Sequence, residues 1–360
     1  MINSLENINL DLKKSFHAVF KNPQLVQSFI TKRSNTFDEI IKQEFCRREL
    51  ETDFALVALG GYGRKELFPS SDIDLSIIQF DAKTKKIEDL KDFIGWLWTL
   101  KVKVGHSVRT IKDIENITKS DLKEFTSYLS HRIIYCKKNK VTSLNKDLKK
   151  VQKKWNKTKF FKAKRLEQQL RFQSFDSTEF SLEPDLKESP GCLRDFQTAL
   201  WILEHCFEIK ELKDCTTLKL FSKTEIASIN ESYAHIKALR FFLNVESSSN
   251  RISFENQLLL AKKSKLVSSK KSSAVEKFMR IFFLHAANLS DFNELVFQAY
   301  DDQLTLLKRP YTKNFYIFKD RLGIAEKIDL TKRPELILDS LIQVGKLKKI
   351  NGLDFKSIKK

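Results

Sequence analysis

A chain of 360 residues, 41% hydrophobic and 31% charged, is long enough for a sizeable core and two domains and is ordinary for a globular protein. Its 65 Lys and Arg against 46 Asp and Glu leave a formal net charge of +19, which puts polyanion binding among the readings to weigh. No apolar run approaches the roughly 18 residues of a membrane span, Met1 to Phe16 has no signal-peptide core, and five cysteines without Cys-x-x-Cys spacing read as reduced thiols of a cytoplasmic protein.

Only 9 Gly and 6 Pro point to a mostly helical chain. Residues 5–48 carry apolar side chains at helical spacing, such as Phe16, Val19 and Phe20, and read as two helices. The stretch from Ala55 to Phe80, ALVALGGYGRKELFPSSDIDLSIIQF, then reads as strand, glycine turn, short helix, strand. Alternation along the second strand sends Asp72 and Asp74 to one side and Ile73 into the core. Two carboxylates held side by side repel unless a cation lies between them. A hard divalent ion such as Mg²⁺ takes carboxylate oxygens and keeps substrate phosphates as its other ligands. Gly60, Gly61 and Gly63 leave backbone N–H groups open to a phosphate. Alone, a glycine turn is usually only a turn and Asp-x-Asp a solvated strand end; together they point to nucleotidyl or phosphoryl transfer.

A hydrophobic strand ending in Gly-Gly, followed by Asp-x-Asp on the next strand, resembles the nucleotidyltransferase superfamily. In detail, GGYGRKELFPSSDIDL is similar to the bacterial PII uridylyltransferases, the bifunctional uridylyl-transferring and uridylyl-removing enzymes of nitrogen control. Lys83 to Leu100 reads as an amphipathic helix. Val102 and Val104 then alternate like a third strand, which Gly105 breaks and Ser107-Val108-Arg109 resumes, and the Val-Gly-His-Ser-Val-Arg segment resembles the same family. Many two-metal nucleotidyltransferases carry a third carboxylate on this strand, but no acid lies between Leu100 and Arg109 here. The third ligand is therefore unassigned: His106 and Arg109 are the polar candidates, Asp113 and Asp121 the nearest later acids. His106 reads equally as a strand-end hydrogen-bonding group.

Helices are expected over Leu122–Tyr135, Leu144–Trp155 and Phe160–Phe175. The densest basic stretch, Lys146 to Arg165, holds ten Lys/Arg against the single Asp147. A lysine excess spread over helix faces reads as composition rather than a built groove, so nucleic acid is disfavoured as a partner. Next, SLEPDLKESPGCLRDF reads as an ordered loop ahead of a helix over Leu193–Phe207, and resembles a segment of the family's helical domain. Ser189 and Cys192 stand where the family commonly has glycine, which predicts strain if those positions need positive φ. By the resemblance Lys187 and Arg194 lie near phosphates; the competing reading is an Arg–Asp/Glu network pinning two domains, favoured for Glu188 and Asp195. Long helices follow, including Ile226–Phe242 and Ala274–Leu295, with Phe278, Phe282 and Phe283 as core. Asn314–Ile328 reads as a strand pair around Gly323, Pro334–Val344 as a last helix, and the chain ends in Lys359-Lys360.

The expected architecture is α+β: a small mixed sheet of the nucleotidyltransferase superfamily with flanking helices, then a helical bundle. The expected divisions are N-terminal helices over 1–50, a nucleotidyltransferase domain over 51–140, a helical domain over 141–310 and a short strand/helix segment over 311–360. The resemblance covers roughly residues 15–350 but only the front half of a typical family member. No His-Asp dipeptide occurs and the six histidines are scattered, so the histidine-aspartate hydrolase and glutamine-sensing domains are expected to be missing. The resemblance implies UMP transfer from UTP to a tyrosine of the PII signalling protein. It also implies two Mg²⁺ ions, with Mn²⁺ as substitute, on Asp72 and Asp74. Nucleotide contacts would come from Gly60, Gly61, Arg64, Ser71, Arg109, Lys187 and Arg194, with a salt bridge to Glu66 as the competing reading of Arg64. Two further readings stay open: another acceptor (protein, RNA or small molecule), and a non-catalytic nucleotide- or partner-binding module.

Overall fold

The computed structural model describes residues 2–81, 84–174, 181–216, 220–304, 309–318, 321–325, 328–347 and 350–358. Helices α1 (Ile2–Lys21) and α2 (Val26–Arg47) lead into a sheet of β1 (Phe54–Ala58), β2 (Ile73–Gln79), β3 (Val104–Arg109) and β4 (Arg132–Tyr135). Between the strands lie the four-residue α3 (Gly60–Gly63), α4 (Ile87–Thr99), α5 (Ile111–Ile117) and α6 (Leu122–Leu129). The strand order is β3-β2-β1-β4; β1 runs antiparallel to both neighbours, and β2 parallel to β3. All five residues of β1 are buried because both faces of the sheet are covered. Leu56 and Ala58, with Ile73 and Leu75 of β2, meet Phe45 of α2 and Phe93 of α4. On the other face, Ala55 and Val57 meet Ile114, Tyr128 and the next helix, α7 (Lys138–Val151). That helix spans the expected 140/141 division and packs Leu144 and Leu148 under the sheet.

The second unit is a bundle of α8 (Lys157–Gln173), α9 (Leu193–Cys206), α10 (Lys223–Ser247), α11 (Phe254–Lys263) and α12 (Ala274–Leu304). Ser222 and Glu225 form a capping box that starts α10, which is buried all round from Ser232 to Asn244. The bundle core also takes Phe16 and Val19 of α1 and Val26 and Ile30 of α2. Helix α2, about 33 Å long at 1.5 Å per residue, therefore serves two cores: Val26 and Ile30 the bundle, Phe37, Ile41 and Phe45 the sheet. A small second sheet follows, in the order β5 (Arg309–Pro310), β6 (Phe315–Phe318), β7 (Arg321–Ile324), β8 (Gly352–Leu353), with α13 (Glu335–Lys346) and α14 (Phe355–Ile358). The α+β reading holds in full.

Local expectations are corrected at several places. Gly105 does not break the third strand: β3 is continuous from Val104 to Arg109, whereas Val102 lies outside it. The helix expected over Leu122–Tyr135 stops at Leu129, and Arg132–Tyr135 forms β4 instead. Pairing to β1 wins over helix propensity there, aided by the two-pronged Arg132–Asp38 ion pair at 2.7 and 3.0 Å. Ser189 and Cys192 are not strained, since positive φ in that loop falls on Gly191 alone. Gly323 lies inside β7, beneath the Tyr316 ring of the paired strand, rather than at the turn. Expectations for Lys83, Phe175 and Lys359-Lys360 fall outside the described residues.

Two glycine substitutions separate backbone constraint from mere absence of a side chain. A Cβ on Gly191, at φ +73°, would lie 2.3 Å from the Ala286 carbonyl oxygen, so Gly191→Ala is expected to cost about 2–4 kcal/mol. Gly95 has nothing within 4 Å of such a Cβ and sits inside α4, so Gly95→Ala is expected to stabilise by about 0.5–1 kcal/mol. Urea unfolding midpoints of both variants against the parent measure the difference.

Candidate active site

The end of β1 and the start of β2 are tied together by the Leu59 N–H donating to the Asp74 carbonyl at 2.9 Å. The chain between them turns through Gly60, at φ +54°, into α3. A Cβ on Gly60 would come within 3.5 Å of Asp74 Oδ2, and one on Gly105 within 3.0 Å of Asp74 Oδ1. The Asp74 carboxylate thus stands between two glycines, with no side chain of theirs beside it. It opens, with Asp72, into a cavity of about 530 Å³ between the sheet unit and the bundle. Partial desolvation and then the charge of Asp72 push the Asp74 carboxyl above its ordinary range, against the lowering effect of Lys187. Lys187 and Asp74 line the same cavity from its two walls.

The opposite wall is the loop from Pro184 to Cys192 and the helix it feeds. Asp185 Oδ1 accepts from the N–H groups of Lys187 and Glu188, both at 2.8 Å, and Ser189 Oγ accepts from the Asp185 N–H at 2.8 Å. Arg194 grips Glu188 at 3.1 and 3.3 Å, and Lys187 lies 3.6 Å from the same carboxylate. Burial works against the Glu188 charge, but Arg194 prevails and holds its carboxyl below the ordinary range. Asp195 is fully buried; it accepts from Arg171 and, at 2.7 Å, from the Gly191 N–H. This network lies within the bundle and shapes the loop.

A buried charged link between the units is Glu66. Its buried carboxylate meets Arg64 Nε at 3.0 Å and Lys237 Nζ at 3.8 Å, and accepts from the Tyr233 hydroxyl. Ser130 Oγ accepts beside it from Arg64 at 3.2 Å and from the Trp201 indole at 2.9 Å.

A family model described as GlnD PII-uridylyltransferase matches residues 159–297. The bifunctional uridylyltransferase/uridylyl-removing enzyme of Haemophilus influenzae (strain PittEE) is 30% identical over 335 residues, 89% of this chain and 38% of that protein. Its namesake in Hydrogenovibrio crunogenus is 29% identical over 88% of the chain and 37% of the relative. That of Acinetobacter baylyi is 26% identical over 99% of the chain and 42% of the relative. Over most of its length the chain is similar to proteins named bifunctional uridylyltransferase/uridylyl-removing enzyme. It spans about two fifths of the length of the curated relatives it matches.

Of the residues expected at a uridylyltransferase site, Gly60, Gly61, Arg64, Ser71, Asp72, Asp74, Lys187 and Arg194 all line the one cavity. Arg64 pairs with Glu66, whose side chain is buried, and also lines the cavity. Arg109 does not line the cavity: it is bound two-pronged to Glu124 at 2.6 and 3.0 Å. His106 points to the opposite face of the sheet, 5.8 Å from the Trp98 ring. Asp113 and Asp121 cap α5 and α6, so neither supplies the third acid. Sequence reasoning missed Lys123, Arg171, Trp201 and Arg240, which also line the cavity. For Arg171 a signal existed, since Lys164, Glu167 and Arg171 recur at helical spacing along one face of α8.

Among the described residues no group of three or more His, Cys, Asp or Glu could hold a metal ion. Asp72 and Asp74 alone fit a hard divalent cation whose remaining ligands come from substrate oxygens. Their mutual repulsion and the lack of side chains on Gly60 and Gly105 beside the Asp74 carboxylate support that fit.

Glu66→Gln keeps the shape of the interlock and removes its charge, at an expected cost of about 3 kcal/mol at pH 7. Burial opposes the Glu66 charge, but Arg64 and Lys237 outweigh it and hold the carboxyl below the ordinary 4.5. The advantage of wild type over the variant is therefore fully present above pH 4.5 and shrinks as pH falls through the lowered native value. Urea unfolding of both proteins across that range measures the difference.

Proposed function

We propose that this chain transfers UMP from UTP to a tyrosine hydroxyl of a PII signalling protein and releases pyrophosphate. The observation that carries this reading is one cavity with a carboxylate pair on one wall and Arg171, Lys187 and Arg194 on the other. The phenolic oxygen forms a bond to the α-phosphorus, the bond from that phosphorus to the bridging oxygen of the β-phosphate breaks, and the phenol proton is lost. Asp72 and Asp74 would hold two Mg²⁺ ions, or Mn²⁺ in their place. Bound there, such ions would supply charge that lowers the pKa of the attacking hydroxyl and offsets charge on the α-phosphate and the departing pyrophosphate.

The chain's own groups bind and orient the nucleotide. Gly60 and Gly61 bring their backbone to the triphosphate without side chains in the way, and Ser71 adds a hydroxyl. Arg64 stays fixed by Glu66 and Ser130 and so presents a preorganised charge. Lys187 and Arg194 already neutralise Glu188, so their charge reaches the substrate from a loop whose shape is set before binding. Trp201 and Phe68 line the cavity as apolar surface.

Asp72→Asn and Asp74→Asn are each expected to lower the transfer rate by about 10²–10³ or more while the fold is retained, because like-charge repulsion is relieved. Label from [α-³²P]UTP followed onto purified PII measures this, and wild-type rates in both variants would remove the pair from the mechanism. Competition among the four nucleoside triphosphates is expected to favour UTP; a clear preference for ATP would point to adenylyl transfer instead.

A further inference from the structure

We propose that the outer edge of β3 is the strand on which the acceptor protein docks, through an extended segment that carries the tyrosine to be modified; this rests on the uridylyl-transfer reading above. Among the described residues no strand pairs with that edge, which bounds the sheet beside β2. Exposed edges are normally blunted by bulges, prolines or covering elements. The opposite edge, β4, is protected in that way: its pairing with β1 shifts register between Leu56 and Val57, and α2 sets Asp38 on Arg132 and Lys42 over the Tyr135 ring. β3 has neither bulge nor proline over its six residues, and Gly105 and Val108 within it are exposed.

The register gives this edge its chemical meaning. Gly105 is the direct partner of Asp74, so it is the β3 residue next to the carboxylate pair on the same face of the sheet. Having no side chain, it leaves an open lane from the sheet edge to Asp74. A residue of an added strand opposite Gly105 would stand two strand spacings, about 9.5 Å, from the Asp74 backbone. A serine or threonine hydroxyl stays beside its own strand, whereas a tyrosine phenol spans the lane. Trp98 lies exposed on the other face next to His106 and offers an apolar shelf to the alternate side chains of the segment. Lys101 and Lys103, exposed at the start of the strand, favour acidic residues at that end of the acceptor.

Backbone alternation identifies a clean test. Ile73 N–H donates to the Lys103 carbonyl at 2.8 Å, so odd-numbered positions of this strand turn their backbone groups to β2 and Val104, His106 and Val108 turn theirs outward. Val108→Pro removes one outward donor at a place where an edge strand tolerates proline, and Val108→Thr keeps that donor. Trp98→Glu, on an exposed helix face, tests the shelf without altering the strand. With [α-³²P]UTP, Mg²⁺ and purified PII, both Val108→Pro and Trp98→Glu are expected to raise the KM for PII about tenfold. The KM for UTP should stay put, and Val108→Thr should behave as wild type. An unchanged KM for PII in Val108→Pro and Trp98→Glu would overturn the docking edge, as would an equal rise in the KM for UTP. Absence of transfer by wild type would instead overturn the uridylyl-transfer reading beneath it.

Discussion

The buried carboxylate of Glu66 ties the two halves of this molecule together beside the cavity. It comes from the loop between the glycine turn and Asp72, yet its hydroxyl and ammonium partners, Tyr233 and Lys237, belong to α10 in the bundle. A charge buried so completely is costly unless every direction is satisfied, and the guanidinium of Arg64 completes the set. The same guanidinium reaches Ser130, which also receives the Trp201 indole. Sheet unit and bundle are thus pinned at two adjacent points directly beneath the cavity. Helix α2, shared between both cores, fixes their relation from the far side.

Around that joint both walls carry both signs, with the repelling carboxylate pair on one and most of the cations on the other. Repelling carboxylates stand on the strand side, where glycine backbone surrounds Asp74. Cations stand on the bundle side, several of them already engaged: Arg171 with Asp195, Arg194 with Glu188, Arg240 with Asn250. Two basic groups near this joint are deeply buried yet partnered, Lys164 by Glu167 at 2.8 Å and Arg240 by Asn250 at 2.9 Å. Burial lowers the Lys164 ammonium to about 8 and the Arg240 guanidinium to about 10. The net charge of +19 therefore does not describe the site: there, cations and carboxylates are interleaved within one cavity. Closing it around an anionic ligand with divalent ions would satisfy both walls together.

How much of this was legible in the sequence follows from how local each feature is. The strand, glycine turn and Asp-x-Asp run lie within one contiguous stretch, so backbone rules alone placed Asp72 and Asp74 side by side. Most helices were readable from apolar spacing, although α2 divides its apolar positions between two cores and α10 is buried all round from Ser232 to Asn244. β4 was not, because Arg132–Tyr135 becomes a strand only when β1 is there to pair with and Asp38 is there to hold Arg132. Glu66 looked like a surface partner of Arg64; its burial comes from Tyr233, 167 residues away. Asp113 and Asp121 looked available as acids, but Asp121 is the N-cap of α6 and Asp113, in the first turn of α5, is held by Thr110 in a capping box. Arg109 fell out of the site for a similar reason: Glu124, on the next helix but one, claims both prongs of its guanidinium.

The central claim is that the two walls act on one ligand. Its most direct test is a double-mutant cycle on Mg²⁺-dependent UTP binding with Asp74→Asn on the strand wall and Arg194→Gln on the bundle wall. Binding by wild type, with a coupling of about 1 kcal/mol or more between the two substitutions, is the result expected of a shared site. Strictly additive losses, or UTP binding that ignores both substitutions, would contradict it.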